Sequence, residues 1–273
     1  MTPAGRRLRD TAVTLVAAAI MGALYAGYSV SLAHPGFVSG WTLFGIMVAL
    51  ALYNLRKKLP FIPLLASAGW LRFHVYLGWL SVVVFLLHVG LSLPNGPLEV
   101  ALAVVYLGLA GSGALGLYLS RSLASRLTRR GENVIFERIP AFRTRLRRQA
   151  EAVALGAVER AGSMTMADFY AASLRPFFEG PHNYWRHIFR SSRGRQAIEA
   201  NIDALERYLG RDEYEAVSEI RELIRAKDDL DFQHALQATL KHWLFVHIPL
   251  TYGIAVLTLV HVIAIYSALG GVP

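Results

Sequence analysis

Four histidines lie in two long apolar segments of this sequence, and their spacing suits them to bind metal. His74 and His88 lie in segment 69–93, and His247 and His261 lie in segment 241–270. The members of each pair are 14 residues apart. On an α-helix this interval is about 3.9 turns, with a rise of about 21 Å and a net rotation of about 40°. Each helix is therefore expected to present two imidazoles on nearly the same face, at two depths.

Two such helices side by side would form two histidine pairs, one above the other. Imidazole is an axial ligand of haem iron, and a second imidazole makes the iron six-coordinate, which favours electron transfer over oxygen chemistry. For any single histidine, a polar contact within a helix bundle is the alternative, but ionisable side chains inside a bilayer are costly and usually functional. Zinc is a poor alternative, because a structural zinc site needs four clustered ligands. The pattern predicts two haems with bis-histidine ligation.

The composition indicates an integral membrane protein. Of the 273 residues, 54% are hydrophobic and only 17% are charged, and several apolar runs reach about twenty residues, the length that spans a bilayer. The chain has no cysteine, which excludes disulfides, thiolate metal sites, iron–sulfur clusters and covalently attached haem within it. The net charge of +9 does not indicate a nucleic-acid partner, because arginines cluster at the ends of apolar segments, as membrane topology requires.

The hydropathy pattern predicts an all-α protein, a membrane bundle of five transmembrane helices. The predicted spans are 11–33, 41–54, 69–93, 98–119 and 241–270. Between the fourth and fifth lies a polar insert with 20 Lys and Arg against 17 Asp and Glu, in which helices are expected at 141–161, 166–174, 196–209 and 212–226. The predicted domains are therefore 1–120, 121–240 and 241–273. The insert has no nucleotide-binding glycine motif, metal-ligand cluster or catalytic triad, so no catalytic residue is predicted.

The distribution of basic residues predicts the topology. Lys and Arg occur at 6–9, 56–58 and 121–148, whereas the intervening loops 34–40 and 92–99 and the C-terminus 270–273 have none. This positive-inside pattern places the N-terminus and the insert 121–240 in the cytoplasm and the C-terminus outside a multi-pass cytoplasmic (inner) membrane protein. The third and fifth spans then run parallel. The expected pairs are His74 with His247, toward the cytoplasm, and His88 with His261, toward the outside.

Further residues are candidates for binding the cofactor. Gly78 could make room for a porphyrin, and plain helix packing is the alternative. Arg72, Lys241 and His242 lie at the cytoplasmic rim, where they could pair with haem propionates; ordinary positive-inside flanking residues are the alternative. Pro249, two residues after a predicted ligand, is expected to kink its helix.

Small and aromatic residues also mark the predicted spans. Glycines recur in the fourth span, which suggests close approach to another helix or to a flat ligand, with simple helix packing as the alternative. Trp41, Trp70 and Trp243 fit an aromatic belt at the membrane interface.

The two histidine pairs, with this spacing and topology, resemble those of the ferric reductase-like transmembrane domain, the family that includes the NADPH oxidases and ferric reductases. The resemblance covers the membrane helices and implies that His74, His88, His247 and His261 are the ligands of two haem b groups. The chain is expected to correspond to the membrane core without the flavin- or nicotinamide-binding domain, so NAD(P)H is not assigned as donor. Similar histidine pairs occur in the cytochrome b of quinol–cytochrome c complexes, but the Pro-Glu-Trp-Tyr quinol-site motif is absent from this sequence.

The sequence therefore predicts an electron-transfer chain. Outside the insert the only acids are Asp10 and Glu99, both at span ends, so no carboxylate lies within a span to relay protons, which argues against a proton pump. We expect a subunit of a larger redox complex rather than a complete enzyme, with redox partner proteins on one or both sides and lipid around it. One alternative is a quinol or quinone oxidoreductase with a quinone site near one haem. The other is a non-redox membrane anchor.

Overall fold

The computed structural model describes residues 3–30, 35–58, 67–90, 92–128, 134–161, 164–189, 191, 193–207, 209 and 213–270, and no strand occurs among them. The α-helices are α1 (Pro3–Val30), α2 (Pro35–Lys58), α3 (Ser67–Val89), α4 (Pro97–Leu127), α5 (Ile139–Ala161), α6 (Thr165–Phe169), α7 (Arg175–Glu179), α8 (Tyr184–Ile188), α9 (Arg193–Glu206) and α10 (Glu213–Gly270). A 3₁₀ turn, Phe136–Arg138, precedes α5, and a π-helical turn, Tyr170–Leu174, separates α6 from α7.

Five helices, α1 to α4 and α10, are long and apolar enough to cross a membrane. Their outer surfaces are also apolar: Leu24 of α1 is 60% exposed and Phe245 of α10 is 76% exposed. Water would make such surfaces costly, whereas lipid tails solvate them. The prediction of an all-α membrane bundle with five transmembrane helices is confirmed.

The third predicted span was drawn too long at its C-terminal end. α3 ends at Val89, and Ser92 and Leu93 lie outside the helix. Gly90 has φ of +65°, and its N–H donates a hydrogen bond to the carbonyl of Leu86 at 3.0 Å. Glycine adopts this left-handed conformation at little cost, and it commonly terminates helices in this way.

The fifth span, predicted to begin near Lys241, is part of a longer helix. α10 begins at Glu213 and continues through Pro249 to Gly270, so the predicted helix 212–226 and the fifth span are one helix. No glycine or proline lies between Glu213 and Ile248, and the chain therefore has no local signal to stop there. α2 and α4 likewise run past their predicted ends through basic residues, which are good helix formers.

Contacts divide the chain into two compact units, of which the first comprises 1–117 and 243–273. Its buried core takes one residue from each of four helices: Leu43 of α2, Val84 of α3, Tyr106 of α4 and Ile254 of α10. α1 packs against α2 and α3. In sequence, Val84 lies between the two histidines of α3 and Ile254 between those of α10. This small core therefore holds the histidine-bearing helices.

The second unit comprises 118–242. Ala150, Ala154 and Ala157 form a buried stripe on α5, at the spacing that repeats on one helix face. This stripe belongs to a core that includes Phe178 and Ile220, both nearly fully buried. A second cluster joins residues of α4 and α10 around Leu123 and Leu236. The unit therefore has an apolar core of its own.

A buried charged network accompanies that core. Lys227 of α10 is 0% exposed, and its ammonium group pairs with Asp231 and donates to the carbonyl of Gly180 at 2.8 Å. The Asp231 carboxylate also accepts the backbone N–H of His182 at 3.0 Å, and Arg143 lies 3.5 Å from it. Burial of these charges is tolerable because each has a charged or hydrogen-bonding partner.

Candidate functional site

The four histidines of the first unit lie at two levels. The ring centroids of His74 and His247 are 6.5 Å apart, with an interplanar angle of 74°. His88 and His261 line one cavity. Since the earlier histidine of α3 meets the earlier histidine of α10, and the later ones also share a site, these two helices run in the same direction.

The separation of His74 and His247 is suitable for one metal ion between them. A metal bound to one nitrogen of each ring at about 2 Å would hold the two ring centroids about 6 Å apart. The observed centroid distance is 6.5 Å. Aromatic rings flank both imidazoles: Tyr53 lies 4.9 Å from His74 and Trp243 lies 5.3 Å from His247, each between ring centroids. This level is thus an imidazole pair within aromatic walls.

The level of His88 and His261 contains a cavity of about 330 Å³, within the range of pockets that bind small molecules and cofactors. Aromatic side chains of α2 and α10 form much of its wall, among them Trp41 and Tyr266. Glu99, from the first turn of α4, also lines it. The cavity is therefore largely apolar, with two imidazoles and one carboxylate at its margin.

The imidazole of His88 is hydrogen-bonded by α2. Its Nδ1 lies 3.1 Å from the carbonyl oxygen of Gly36 and 3.2 Å from the hydroxyl oxygen of Ser39. A carbonyl oxygen only accepts hydrogen bonds, so Nδ1 carries the proton and donates it to Gly36. The lone pair of Nε2 is then free to bind a metal.

The imidazole of His247 is contacted by α4 in a similar way. Its Nδ1 lies 3.2 Å from the hydroxyl oxygen of Ser112. The indole N–H of Trp243 donates to the carbonyl of the same Ser112 at 2.8 Å. One residue of α4 therefore holds both the histidine and the aromatic ring beside it.

A packed layer separates the two levels. The hydroxyls of Ser81 and Tyr106 are 2.9 Å apart, and the ring of Phe85 stacks on that of Tyr106 at 4.1 Å between centroids. Ser81, Tyr106 and Ile254 are all buried. Gly78, nearer His74, has no neighbouring atom within 4 Å of the position a Cβ would take, so there is open space at this glycine.

Each of the three residues predicted at the cytoplasmic rim has a different local environment. Arg72 lies 3.6 Å from the carboxylate of Asp10 and is half exposed. Lys241, in the second unit, donates to Glu137 at 2.6 Å, and this hydrogen bond holds the pKa of the Glu137 carboxyl below its usual range. His242 is exposed. Pairing of these residues with propionates stays a prediction.

The donor set fits haem better than a metal bound by protein alone. Among the residues that the structure describes, no group of three or more His, Cys, Asp or Glu side chains is placed to hold a metal. Each level offers two imidazoles, which is the number of axial ligands that a six-coordinate haem iron takes from a protein. In the cavity at the level of His88 and His261, the Nδ1–H of His88 donates a hydrogen bond and Nε2 is available. This is the arrangement usual for a metal-binding histidine.

Sequence reasoning missed the residues that support these histidines. Ser39, Ser112 and Tyr53 lie on other helices, and no periodicity within one helix shows which neighbour they contact. Trp243 was expected only in an interfacial belt, yet it packs beside His247. Its spacing of four residues from His247 places both on one helix face and could have indicated the contact.

No family model, no curated protein and no solved structure matches this chain.

Proposed function

We propose that this chain is a di-haem b-type cytochrome that transfers electrons across the membrane, as a subunit of a larger redox complex. The observation that carries the proposal is the pairing of His74 with His247 and of His88 with His261 on parallel helices. The levels are separated by 14 residues on each helix, or about 21 Å of helical rise. Two sites at different depths suit a path across the bilayer.

In this proposal the four histidines would hold the two haems, two histidines for each. Haem, when bound, provides reversible one-electron chemistry at its iron. The side chains of this chain orient the imidazoles. Gly78 leaves room beside the His74 level, and Arg72, Lys241 and His242 are each proposed to pair with haem propionates.

The positive-inside pattern supports an orientation in which the N-terminus and residues 121–240 face the cytoplasm and the C-terminus lies outside the inner membrane. Residues 121–240 form a compact helical unit, which is the proposed docking surface for a redox partner protein. Lipid covers the apolar faces of α1 and α10. This arrangement gives the chain access to partners on one or both sides.

A quinone-linked activity is the second candidate, with the quinone beside the haem of the His88 level, against the apolar wall of that cavity. The cavity is apolar, is lined by the rings of Trp41 and Tyr266, and has the Glu99 carboxylate at its margin. A quinol would need an apolar pocket and a nearby proton acceptor. Reduction of bound haem on addition of a quinol analogue to the purified chain would support this candidate.

The test of the proposal is a reduced-minus-oxidised visible spectrum of the purified protein, with the haem-to-protein ratio. Two low-spin b-type haems per chain are expected. A single haem would mean that one histidine pair is not a binding site. If the purified protein is colourless and still binds no haem after incubation with excess haem, the proposal is overturned. That result would favour a non-redox membrane anchor.

A further inference from the structure

Two Ser-Gly dipeptides occupy equivalent positions beside the histidines. Ser39-Gly40 on α2 lies against His88, and Ser112-Gly113 on α4 lies against His247. One histidine of each pair is therefore supported by a serine hydroxyl and a neighbouring glycine from a helix that carries no haem ligand.

At His88, the imidazole, the Ser39 hydroxyl and the Gly36 carbonyl are hydrogen-bonded to one another. The Ser39 hydroxyl donates to the carbonyl of Gly36 at 3.2 Å, and its lone pairs are then available to accept from the ring N–H. The carbonyl of Gly36 accepts from the same N–H at 3.1 Å. The carbonyl oxygen can only accept, so its contact requires a proton on Nδ1, and α2 thereby selects one tautomer of His88.

Gly40 allows this contact because it has no side chain. A Cβ at position 40 would lie 2.9 Å from Cε1 of His88, closer than carbon atoms pack without displacement. The ring therefore rests directly against the backbone of α2. Gly45 on the same helix has nothing within 4 Å of its Cβ position, so the constraint is specific to the position beside the histidine.

At His247 the support includes an indole. A Cβ at Gly113 would lie 3.8 Å from Cε1 of the imidazole, an ordinary contact distance. At Gly116 a Cβ would overlap the Trp243 ring. α4 thus holds the imidazole with Ser112 and accommodates the flanking indole at Gly116.

We propose that Ser39-Gly40 and Ser112-Gly113 are positioning residues that fix the ring orientation of His88 and His247, and that α2 also fixes the tautomer of His88, which leaves its Nε2 to bind a metal. The inference rests on the proposed function. Hydrogen bonds to the non-ligating nitrogen orient metal-binding histidines and increase their basicity. Each Ser-Gly dipeptide contacts a histidine at a different level, so each is expected to affect the binding of one haem.

The experiment compares Ser39→Ala and Ser112→Ala in the full chain, by haem content, low-spin ferric EPR spectra and midpoint potentials. Ser39→Ala is expected to alter the EPR signal and potential of one haem and to weaken its retention by about tenfold, with the other haem unchanged. Ser112→Ala is expected to affect the other haem. The unaffected haem in each variant shows that the bundle has folded.

Gly40→Ala and Gly45→Ala provide a matched steric pair on α2. Gly40→Ala is expected to lose the haem of the His88 level, whereas Gly45→Ala retains both haems. Ser112→Thr keeps the hydroxyl and is expected to retain the wild-type spectrum of the His247 level. Unchanged EPR spectra and potentials in both serine-to-alanine variants would overturn the proposal, although the two haems would remain.

A second measurement separates this inference from the proposed function. Nitrogen-15 NMR of the haem-free chain reports which ring nitrogen of His88 carries the proton, with His88→Gln to assign the signal. A proton on Nδ1 in the wild type supports the positioning role of α2, and a weaker preference is expected in Ser39→Ala, because only the Gly36 carbonyl then accepts from Nδ1–H. A proton on Nε2 in the wild type overturns it. Absence of haem from the wild type would overturn the proposed function without altering this NMR result.

Discussion

The imidazole of His74 faces that of His247 at 6.5 Å between ring centroids, while His88 and His261 share a separate cavity. Because the two levels use different residues, they should be separable by mutation. His88→Ala or His261→Ala is expected to remove one haem and leave the other, and His74→Ala should remove the remaining one. Haem content by pyridine haemochrome assay would measure this. His182→Ala, in the second unit, should retain both; loss of both haems from each ligand variant would contradict independent sites.

Gly116→Ala is expected to destabilise the first unit, although alanine favours helix more than glycine does. The added methyl group would overlap the indole of Trp243, which must move and lose its hydrogen bond to Ser112. Overpacking of this kind costs about 1–3 kcal/mol. Gly108→Ala is the control, because nothing lies within 4 Å of its Cβ position, and it should be neutral or stabilising by up to about 1 kcal/mol. Thermal unfolding in detergent should give a lower melting temperature for Gly116→Ala and an unchanged or higher one for Gly108→Ala. Equal changes in melting temperature would contradict the overlap.

Lys227→Met is expected to be strongly destabilising in the second unit. The substitution leaves the buried carboxylate of Asp231 without its closest cation, and breaking a buried pair in this way costs about 3–5 kcal/mol. Arg175→Met removes the exposed pair with Glu179 and should cost less than about 1 kcal/mol. Chemical denaturation followed by circular dichroism would compare them. The double variant Lys227→Met with Asp231→Leu should recover part of the loss, and no recovery would argue against the pair as its cause.

Phe178→Ala is expected to cost about 3–5 kcal/mol, because this ring is 0% exposed and its removal leaves a cavity in the core. Trp185→Ala removes an aromatic ring that is 67% exposed, so the change should stay within about 0.5 kcal/mol. Limited proteolysis at increasing denaturant concentration would rank the two variants. Similar protease resistance of both would mean that Phe178 does not contribute to this core as described.

The Glu137 carboxyl is expected to titrate below its ordinary pKa, since it accepts a hydrogen bond from Lys241. A carboxyl whose pKa is lowered by folding contributes stability above its unfolded pKa, and this contribution is lost as the pH falls through the folded pKa. NMR titration of the side-chain carboxyl would measure the midpoint. In Lys241→Met the midpoint should rise toward the ordinary value, and an unchanged midpoint would exclude Lys241 as the cause.

The sequence was sufficient to predict the helical class, the number of helices long and apolar enough to span a membrane, and the contact of His74 with His247. These features depend on hydrophobic length and on a spacing within single helices. The end of α3 required the left-handed conformation of Gly90 to be recognised. A helix was predicted to start at residue 212, next to the observed start of α10 at Glu213, but it was separated from the fifth span although no glycine or proline marks a break before Lys241.

The supporting residues could not be predicted in the same way. The contacts of Ser39 with His88 and of Ser112 with His247 depend on which helices are neighbours and on how they rotate about their axes. A serine followed by glycine is common in membrane helices for packing alone. Only the three-dimensional arrangement distinguishes these two dipeptides from the other small residues of α2 and α4.

The two histidines are 14 residues apart on α3 and also on α10. The histidines of the two helices therefore stay level with one another only while these two intervals are equal. One residue inserted between His247 and His261 would turn His261 by about 100° and advance it by about 1.5 Å, while His247 kept its place. An insertion at the matching point of α3 would turn His88 in the same sense. Deletions and insertions in these intervals are therefore tolerable only when the two helices change together, whereas substitutions can accumulate in either helix alone.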